Sequence, residues 1–125
     1  MKLNIKNETG RLKSVVLGQP KSIGPVPTLE ESYDAKSYYS IENGIYPKEE
    51  DIIAEMTAFE KVLKKYDVEV FRPNIIKDYN QVFARDVAFV IEDKMIISNV
   101  IKDRADEQEA YRKIFEKVEW RKIIN

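Results

Sequence analysis

The amino-acid sequence predicts a mixed α/β domain in which short strands alternate with amphipathic helices. Short apolar runs rich in β-branched residues are bounded by turn residues, and a segment with apolar residues at helical spacing follows a helix-start signal. Two further apolar runs are separated by only three polar residues, as in a hairpin. The chain has 125 residues, 43% of them hydrophobic and 34% charged, so it is long enough to bury a core as one domain.

The first predicted element is a strand over 12–17, where Leu-Lys-Ser-Val-Val-Leu is followed by the turn residues 18–20. From there to Tyr46 no period of 2 or 3.6 is sustained, and a long irregular loop is predicted. The loop contains four tyrosines that either pack it onto the core or cover a site. They are Tyr33, Tyr38, Tyr39 and Tyr46.

A helix is predicted to begin at Pro47, because proline is favoured at the first helical position and three acidic residues follow closely. Apolar residues then recur at spacings of four, three, four and three, which predicts one buried face. They are Ile52, Met56, Phe59, Leu63 and Tyr66. A strand over 68–72 is predicted next, and 74–80 is predicted as a connection after Pro73.

The second half of the chain predicts a hairpin, a helix and the start of a strand. The hairpin pairs the apolar runs 88–91 and 95–98. Asp106 and Glu109 resemble a capping box, and a helix of about three turns is predicted from the apolar residues that follow. Those residues are Tyr111, Ile114, Phe115 and Val118, and the strand would begin in 120–124.

Composition excludes several classes of function. The chain contains neither Cys nor His, so thiolate nucleophiles, imidazole bases, disulfides and the usual zinc ligands are excluded within it. Lys and Arg number 21 against 22 for Asp and Glu, and this balance makes nucleic acid an unexpected partner. No stretch approaches the ~20 apolar residues of a membrane span, and no secretory signal is present, so no membrane partner and a cytoplasmic location are expected.

The segment from Phe83 to Asp86, at the mouth of a predicted strand over 87–91, is the least typical of routine packing. Neighbouring side chains on a strand point to opposite faces, so only one of Arg85 and Asp86 would face a pocket if the strand has already begun. A carboxylate at a sheet edge suits a planar guanidinium, whose N–H fork meets two carboxylate oxygens. The alternative is an ordinary surface Arg and Asp flanking a strand.

A second charged cluster, Lys102-Asp103-Arg104, lies just ahead of the second predicted helix. It either binds an anion near the start of that helix or forms a solvated polar loop.

Three stretches, at 8–20, 83–90 and 97–112, resemble in this order the start of the amidinotransferase and arginine deiminase superfamily. Its members are guanidine-modifying enzymes with the pentein fold. The second stretch, Phe-Ala-Arg-Asp-Val-Ala-Phe-Val, is the most specific. The resemblance implies that 1–125 form a single partial domain of this α/β-propeller-like fold, with about two of its five ββαβ-type units.

The resemblance also implies roles for individual residues. Asp86 would be the catalytic carboxylate that grips the substrate guanidinium, and Arg104 would bind the substrate's carboxylate. The loop after the first strand would border the site. The candidate substrate-binding residues are Leu17, Gln19, Phe83, Arg85, Asp86 and Arg104. Neither a metal nor an organic cofactor is expected, because the family's nucleophile and acid are side chains.

In that family a Cys thiolate attacks the guanidinium carbon and a His transfers protons, through a covalent amidino-enzyme. The chain lacks both residues, so we expect it to be inactive as given and to be the N-terminal segment of an amidinotransferase or arginine deiminase-like hydrolase acting on arginine or a related guanidino compound. The alternative is a non-catalytic pentein-like or α/β interaction module, which a stop codon directly after Asn125 would favour. Sheet edges left open by absent units predict self-association.

Overall fold

The computed structural model describes residues 1–32 and 34–125, so the predicted loop position of Tyr33 lies outside the described residues. The strands are β1 (Ser14–Val16), β2 (Glu69–Phe71), β3 (Ala88–Ile91), β4 (Lys94–Ile97) and β5 (Ile123–Ile124). The α-helices are α1 (Ala35–Glu42), α2 (Glu49–Lys65), α3 (Asp106–Ala110) and α4 (Arg112–Phe115). The predicted mixed α/β class is confirmed. The propeller-like arrangement and the count of two units stay predictions.

The strands form two small sheets. β1 and β2 pair in parallel, with Val15 opposite Val70, and α2 lies in the crossover that parallel strands require. β3 and β4 form the predicted antiparallel hairpin, with Phe89 opposite Ile96. β5 adds to the other side of β4 in parallel, giving the order β3-β4-β5.

The hairpin turn is one residue shorter than predicted. β4 begins at Lys94 because Ile91 and Lys94 are directly paired, which leaves Glu92 and Asp93 as a two-residue turn. Glu92 has a φ of 52°, the left-handed backbone that tight hairpin turns need. The tight turn fixes the register of the strand that follows Asp86.

Helix α2 is confirmed, but its predicted buried face is wrong in part. It begins after Lys48 rather than at Pro47, with acidic residues in its first turn and lysines in its last. Leu63 is buried, whereas Phe59 and Tyr66 are 52% and 65% exposed. Of this stripe, Leu63 and the partly buried Met56 pack with Leu17 and Val68.

Helix α1 lies inside the stretch that was predicted to be an irregular loop, so that prediction is wrong over 35–42. Asp34 caps the helix, because its Oδ1 accepts hydrogen bonds from the backbone N–H groups of Lys36 (3.0 Å) and Ser37 (2.8 Å). Every side chain of α1 remains exposed or half-buried, so the helix carries no apolar period.

The second predicted helix is broken into α3 and α4 at Tyr111, and its predicted capping box is wrong. Ala105 takes the N-cap position, and Asp106 is already the first residue of α3. Tyr111 has φ −89° and ψ −2°, outside the range of a regular helix. The strand predicted over 120–124 is confirmed only in Ile123–Ile124, because Trp120–Lys122 form a 3-10 helix.

Three clusters of buried apolar side chains form the core. One contains Val87, Ala110, Tyr111 and Ile114, another Leu3, Met95 and Val118, and the third Leu17, Leu63 and Val68. Phe115 packs against the first two and joins them. None of the helices in the described ranges has the length and apolar content that crossing a membrane requires.

Candidate functional site

Asp86 lies in a short 3-10 helix, Ala84–Asp86, between the connection from β2 and the start of β3. The N–H of Asp86 bonds to the carbonyl of Phe83 at 3.2 Å. The next residue, Val87, has no exposed surface and anchors this turn in the core. Since β3 begins only at Ala88, strand alternation does not apply to Arg85 and Asp86. The predicted strand therefore starts one residue later than the sequence indicates.

Arg85 and Asp86 line the same open cavity, of about 680 Å³. The N-terminal residues 5–8 form one side of it, and Phe89 and Ser98 contribute from the hairpin side. The N-terminal segment is held there by a two-way backbone pairing between Ile5 and Glu92, at 2.8 and 2.7 Å. The cavity thus places the Asp86 carboxylate within reach of a small solute.

The connection that leads into this turn is fixed by a buried amide. Gln81 is fully buried; its Oε1 accepts from the N–H of Ile76 at 2.8 Å and its Nε2 donates to the carbonyl of Asn74 at 3.0 Å. The N–H of Gln19 bonds to the Gln81 carbonyl at 2.9 Å. The chain therefore enters the site from a rigid loop.

Arg104 joins Asp86 to a second carboxylate. Its Nη1 donates to Oδ2 of Asp86 at 2.8 Å. Its Nε and Nη2 lie 2.7 and 2.6 Å from Oε2 of Glu107, which is on α3. The Asp86 side chain is 45% exposed, that of Arg104 is 23% exposed, and that of Glu107 is fully buried. We call these three residues the Asp86–Arg104–Glu107 triad.

Burial and ion pairing act in opposite directions on the triad. Burial raises the pKa of Glu107 above its ordinary value, although Arg104 opposes this by stabilising the carboxylate. Burial alone would lower the pKa of Arg104, but the bonds to Asp86 and Glu107 raise it overall. The guanidinium therefore stays charged, and it is the group that makes a fully buried Glu107 tolerable.

Tyr111 lies on the inner side of the triad. Burial, and then the charge of Glu107, raises the pKa of its hydroxyl above the ordinary value. The hydroxyl of Tyr111 and Oε1 of Glu107 are both buried and find no hydrogen-bond partner among residues 1–32 and 34–125. The inner end of the triad is thus rigidly packed and poorly solvated.

The remaining candidate residues lie elsewhere. Leu17 packs in the core with Leu63 and Val68, and Gln19 donates from Nε2 to the carbonyl of Pro73 at 2.6 Å. Phe83 is exposed. Leu17, Gln19 and Phe83 are not among the described residues that line the cavity. Their role in binding substrate stays a prediction.

Arg85 thus lines the cavity beside Asp86, whereas Arg104 is bonded to Asp86 without lining the cavity as the described residues define it. Glu107, which the sequence analysis missed, joins the site through Arg104. The sequence does contain a signal for Glu107: it lies three residues after Arg104 at the start of a predicted helix, a spacing that favours an ion pair. In the parts of the chain that the structure describes, no cluster of three or more Asp or Glu side chains is arranged to hold a metal ion.

No family model and no curated protein matches the sequence. Solved structures do match, and one of them is SxtG, an amidinotransferase from Microseira wollei in the saxitoxin biosynthetic pathway. The superposition has a TM-score of 0.63 at 21% sequence identity and covers 92% of this chain. It covers 40% of the SxtG chain, so the protein described here spans well under half of that length. The chain therefore has a fold like part of an amidinotransferase.

Proposed function

We propose that the chain is part of a guanidine-modifying enzyme, an amidinotransferase or an arginine deiminase-like hydrolase, and that Asp86 binds the guanidinium group of its substrate. One observation carries the proposal: Asp86, at the wall of an open cavity, already accepts a hydrogen bond from a guanidinium, that of Arg104, at 2.8 Å. The fold likeness to SxtG supports it. The substrate would be arginine or a related small guanidino compound.

In this proposal Asp86 neutralises the guanidinium and fixes its plane through N–H bonds to the carboxylate. A thiolate attacks the central carbon, and the substrate amine (in a transferase) or ammonia (in a deiminase) leaves with a proton from an imidazole, so that an amidino group remains on sulfur. Water or an acceptor amine then releases that group. The 125 residues contain no Cys and no His, so both groups would come from residues outside them.

A second candidate, a non-catalytic interaction module, is favoured by the exposed apolar surface. Phe59 and Val62 on α2 are each 52% exposed, and Trp120 is 85% exposed. Exposed apolar groups of this size are typical of surfaces that meet another protein. In that case the Asp86–Arg104 pair would be purely structural.

Titration of the ¹⁵N-labelled protein with methylguanidinium chloride distinguishes the two candidates, with sodium chloride as the ionic-strength control. We expect saturable shifts at the cavity residues, and we expect Asp86→Asn to weaken binding about tenfold or more, because a neutral amide loses the charge-assisted bond. Asp103→Asn, on the 3-10 helix Lys102–Arg104, is the matched control and should bind like the unchanged protein. Equal binding by Asp86→Asn would remove Asp86 from the site, and no saturable shift at all would favour the interaction module.

A further inference from the structure

The three members of the triad differ sharply in how firmly each is held. Glu107 is fully buried, and its Oε2 is bonded twice by Arg104. An ionised carboxylate without a partner at such a position is strongly unfavourable, so Nε and Nη2 of Arg104 cannot leave it cheaply. Asp86 is 45% exposed, and an exposed carboxylate exchanges its partner at little cost.

Arg104 is therefore held firmly by Glu107, whereas its bond to Asp86 can be exchanged for a bond from another cation. Its single bond to Asp86 runs from Nη1, the nitrogen that Glu107 does not use. The group bonded to Asp86 is chemically the same as the cation that the cavity is proposed to receive. An incoming guanidinium would take the place of Nη1 of Arg104 on Oδ2, while Nε and Nη2 of Arg104 stay on Glu107.

We propose that the guanidinium of Arg104 occupies the site on Asp86 that a guanidino substrate would use, an inference that rests on the proposed function. Glu107 is then the positioning residue that holds Arg104 on Asp86. Arg104 then competes with every external guanidino ligand. The apparent dissociation constant equals the intrinsic one divided by the fraction of molecules in which Asp86 is free. Removing the competitor should therefore tighten binding, although it deletes a residue from the site.

The test compares the affinity of methylguanidinium for the unchanged protein and for the double variant Arg104→Met/Glu107→Gln. The double substitution avoids the unpaired buried carboxylate that Arg104→Met alone would leave. If Asp86 is free in about a quarter of the molecules, the dissociation constant should fall about fourfold. The matched control is Arg112→Met/Glu109→Gln, which removes an exposed Arg–Glu pair of the same i, i+3 spacing, and it should leave the affinity unchanged.

A single variant tests the positioning role of Glu107. In Glu107→Gln the anchor on Nε and Nη2 is weakened while Arg104 remains, so methylguanidinium should bind more tightly than to the unchanged protein but less tightly than to the double variant. The Nε–H proton of Arg104 should also exchange faster with water in this variant. If Glu107 only stabilised the fold, this faster exchange would not be accompanied by tighter binding of methylguanidinium.

Failure of this proposal is distinguishable from failure of the proposed function. If the double variant binds no more tightly than the unchanged protein while Asp86→Asn still abolishes binding, self-occupancy is overturned and the guanidinium role of Asp86 stands. If neither protein binds methylguanidinium, both are overturned. Tighter binding that is lost when Asp86→Asn is added to the double variant supports both.

Discussion

Gly18 is the point where the loop after β1 passes directly against the backbone of the connection into the site. A Cβ at this position would lie 2.2 Å from the carbonyl oxygens of both Gln81 and Val82. The Gly18 carbonyl also accepts a hydrogen bond from Nη1 of Arg72. The two carbonyl oxygens belong to the backbone and cannot rotate away, so only glycine fits there.

We expect Gly18→Ala to destabilise the fold by about 2 kcal/mol or more, because two backbone segments would have to separate to admit one methyl group. Urea unfolding followed by circular dichroism measures the change. Gly10→Ala is the matched control, because the nearest atom to its added Cβ is a single exposed side-chain atom, Oδ1 of Asn7 at 3.1 Å, which needs to move only slightly. Equal losses in the two variants would show that the close contact at Gly18 is unimportant.

Glu60 and Glu107 are expected to affect stability with opposite pH dependence. Hydrogen bonds from Lys64, and then from Arg72, lower the pKa of Glu60 below its ordinary 4.5. The unfolded state then binds more protons than the native state, so stability from Glu60 is present above pH 4.5 and is lost as the pH falls through the lowered value. Glu107 has a raised pKa, so its contribution is largest below pH 4.5 and declines as the pH rises.

The measurement is the free energy of unfolding of Glu60→Gln and Glu107→Gln, relative to the unchanged protein, across the acid range. The loss caused by Glu60→Gln should shrink as the pH falls below 4.5. The loss caused by Glu107→Gln should grow as the pH falls toward 4.5 from above and should stay constant below 4.5. Parallel pH profiles would contradict the assigned directions. Each variant serves as the control for the other.

At the scale of elements, α1 and α2 show two different ways of forming a helix. α2 is packed by Met56 and Leu63 against β1 and β2, and an apolar period in the sequence records that packing. α1 depends on the Asp34 cap and has no buried face. An apolar-period search therefore finds α2 and passes over α1, whose only signal is an aspartate ahead of a short polar-aromatic run.

We expect Asp34→Ala to unfold α1 without changing the global unfolding transition, because the capping bonds to Lys36 and Ser37 are its main support. Hydrogen bonds from Ser37 also lower the pKa of Asp34 below 3.8, so α1 should persist above that pH and fray as the carboxylate is protonated. Backbone chemical shifts and hydrogen exchange at 35–42 report the change.

The control for this helix is Glu42→Ala, which removes a carboxylate from the opposite end, where the helix dipole disfavours it. That variant should keep α1 intact. A helix that survives Asp34→Ala, or melts equally in both variants, would show that contacts other than the cap support it.

At the scale of the whole molecule, two small sheets share a core that leaves sheet edges and apolar groups open. β5 pairs with β4 on one side, and its other edge is not paired within the described ranges 1–32 and 34–125. Ile124 at that edge is half exposed, and Trp120 just before it is almost fully exposed. An unpaired strand edge beside apolar groups is a surface that other chains can extend.

We expect the protein to self-associate through this edge, which sedimentation velocity over a concentration series would detect. Ile124→Lys should reduce the association, because a charge on an edge strand opposes pairing. Ile45→Lys, at an exposed apolar residue outside the strands, is the control and should associate like the unchanged protein. A single monomeric species at the highest concentration would contradict the expectation.

The sequence by itself determined the elements that have a local cause. The period of α2 and the two apolar runs of the hairpin could be read from neighbouring residues, because they depend on interactions within a few residues, which sequence spacing records. The absence of Cys and His followed from the composition, and the family resemblance singled out Asp86.

Tertiary structure alone decided which groups meet. Asp86 and Arg104 are 18 positions apart, and only tertiary packing, in which Val87 and Ala110 share one buried cluster, brings Arg104 between Asp86 and the buried Glu107. Packing likewise decided that Phe59 stays exposed while Leu63 is buried. The type of a side chain determines whether burial or an ion pair stabilises it. The partner that provides the contact comes from a distant part of the chain, so only the folded structure identifies it.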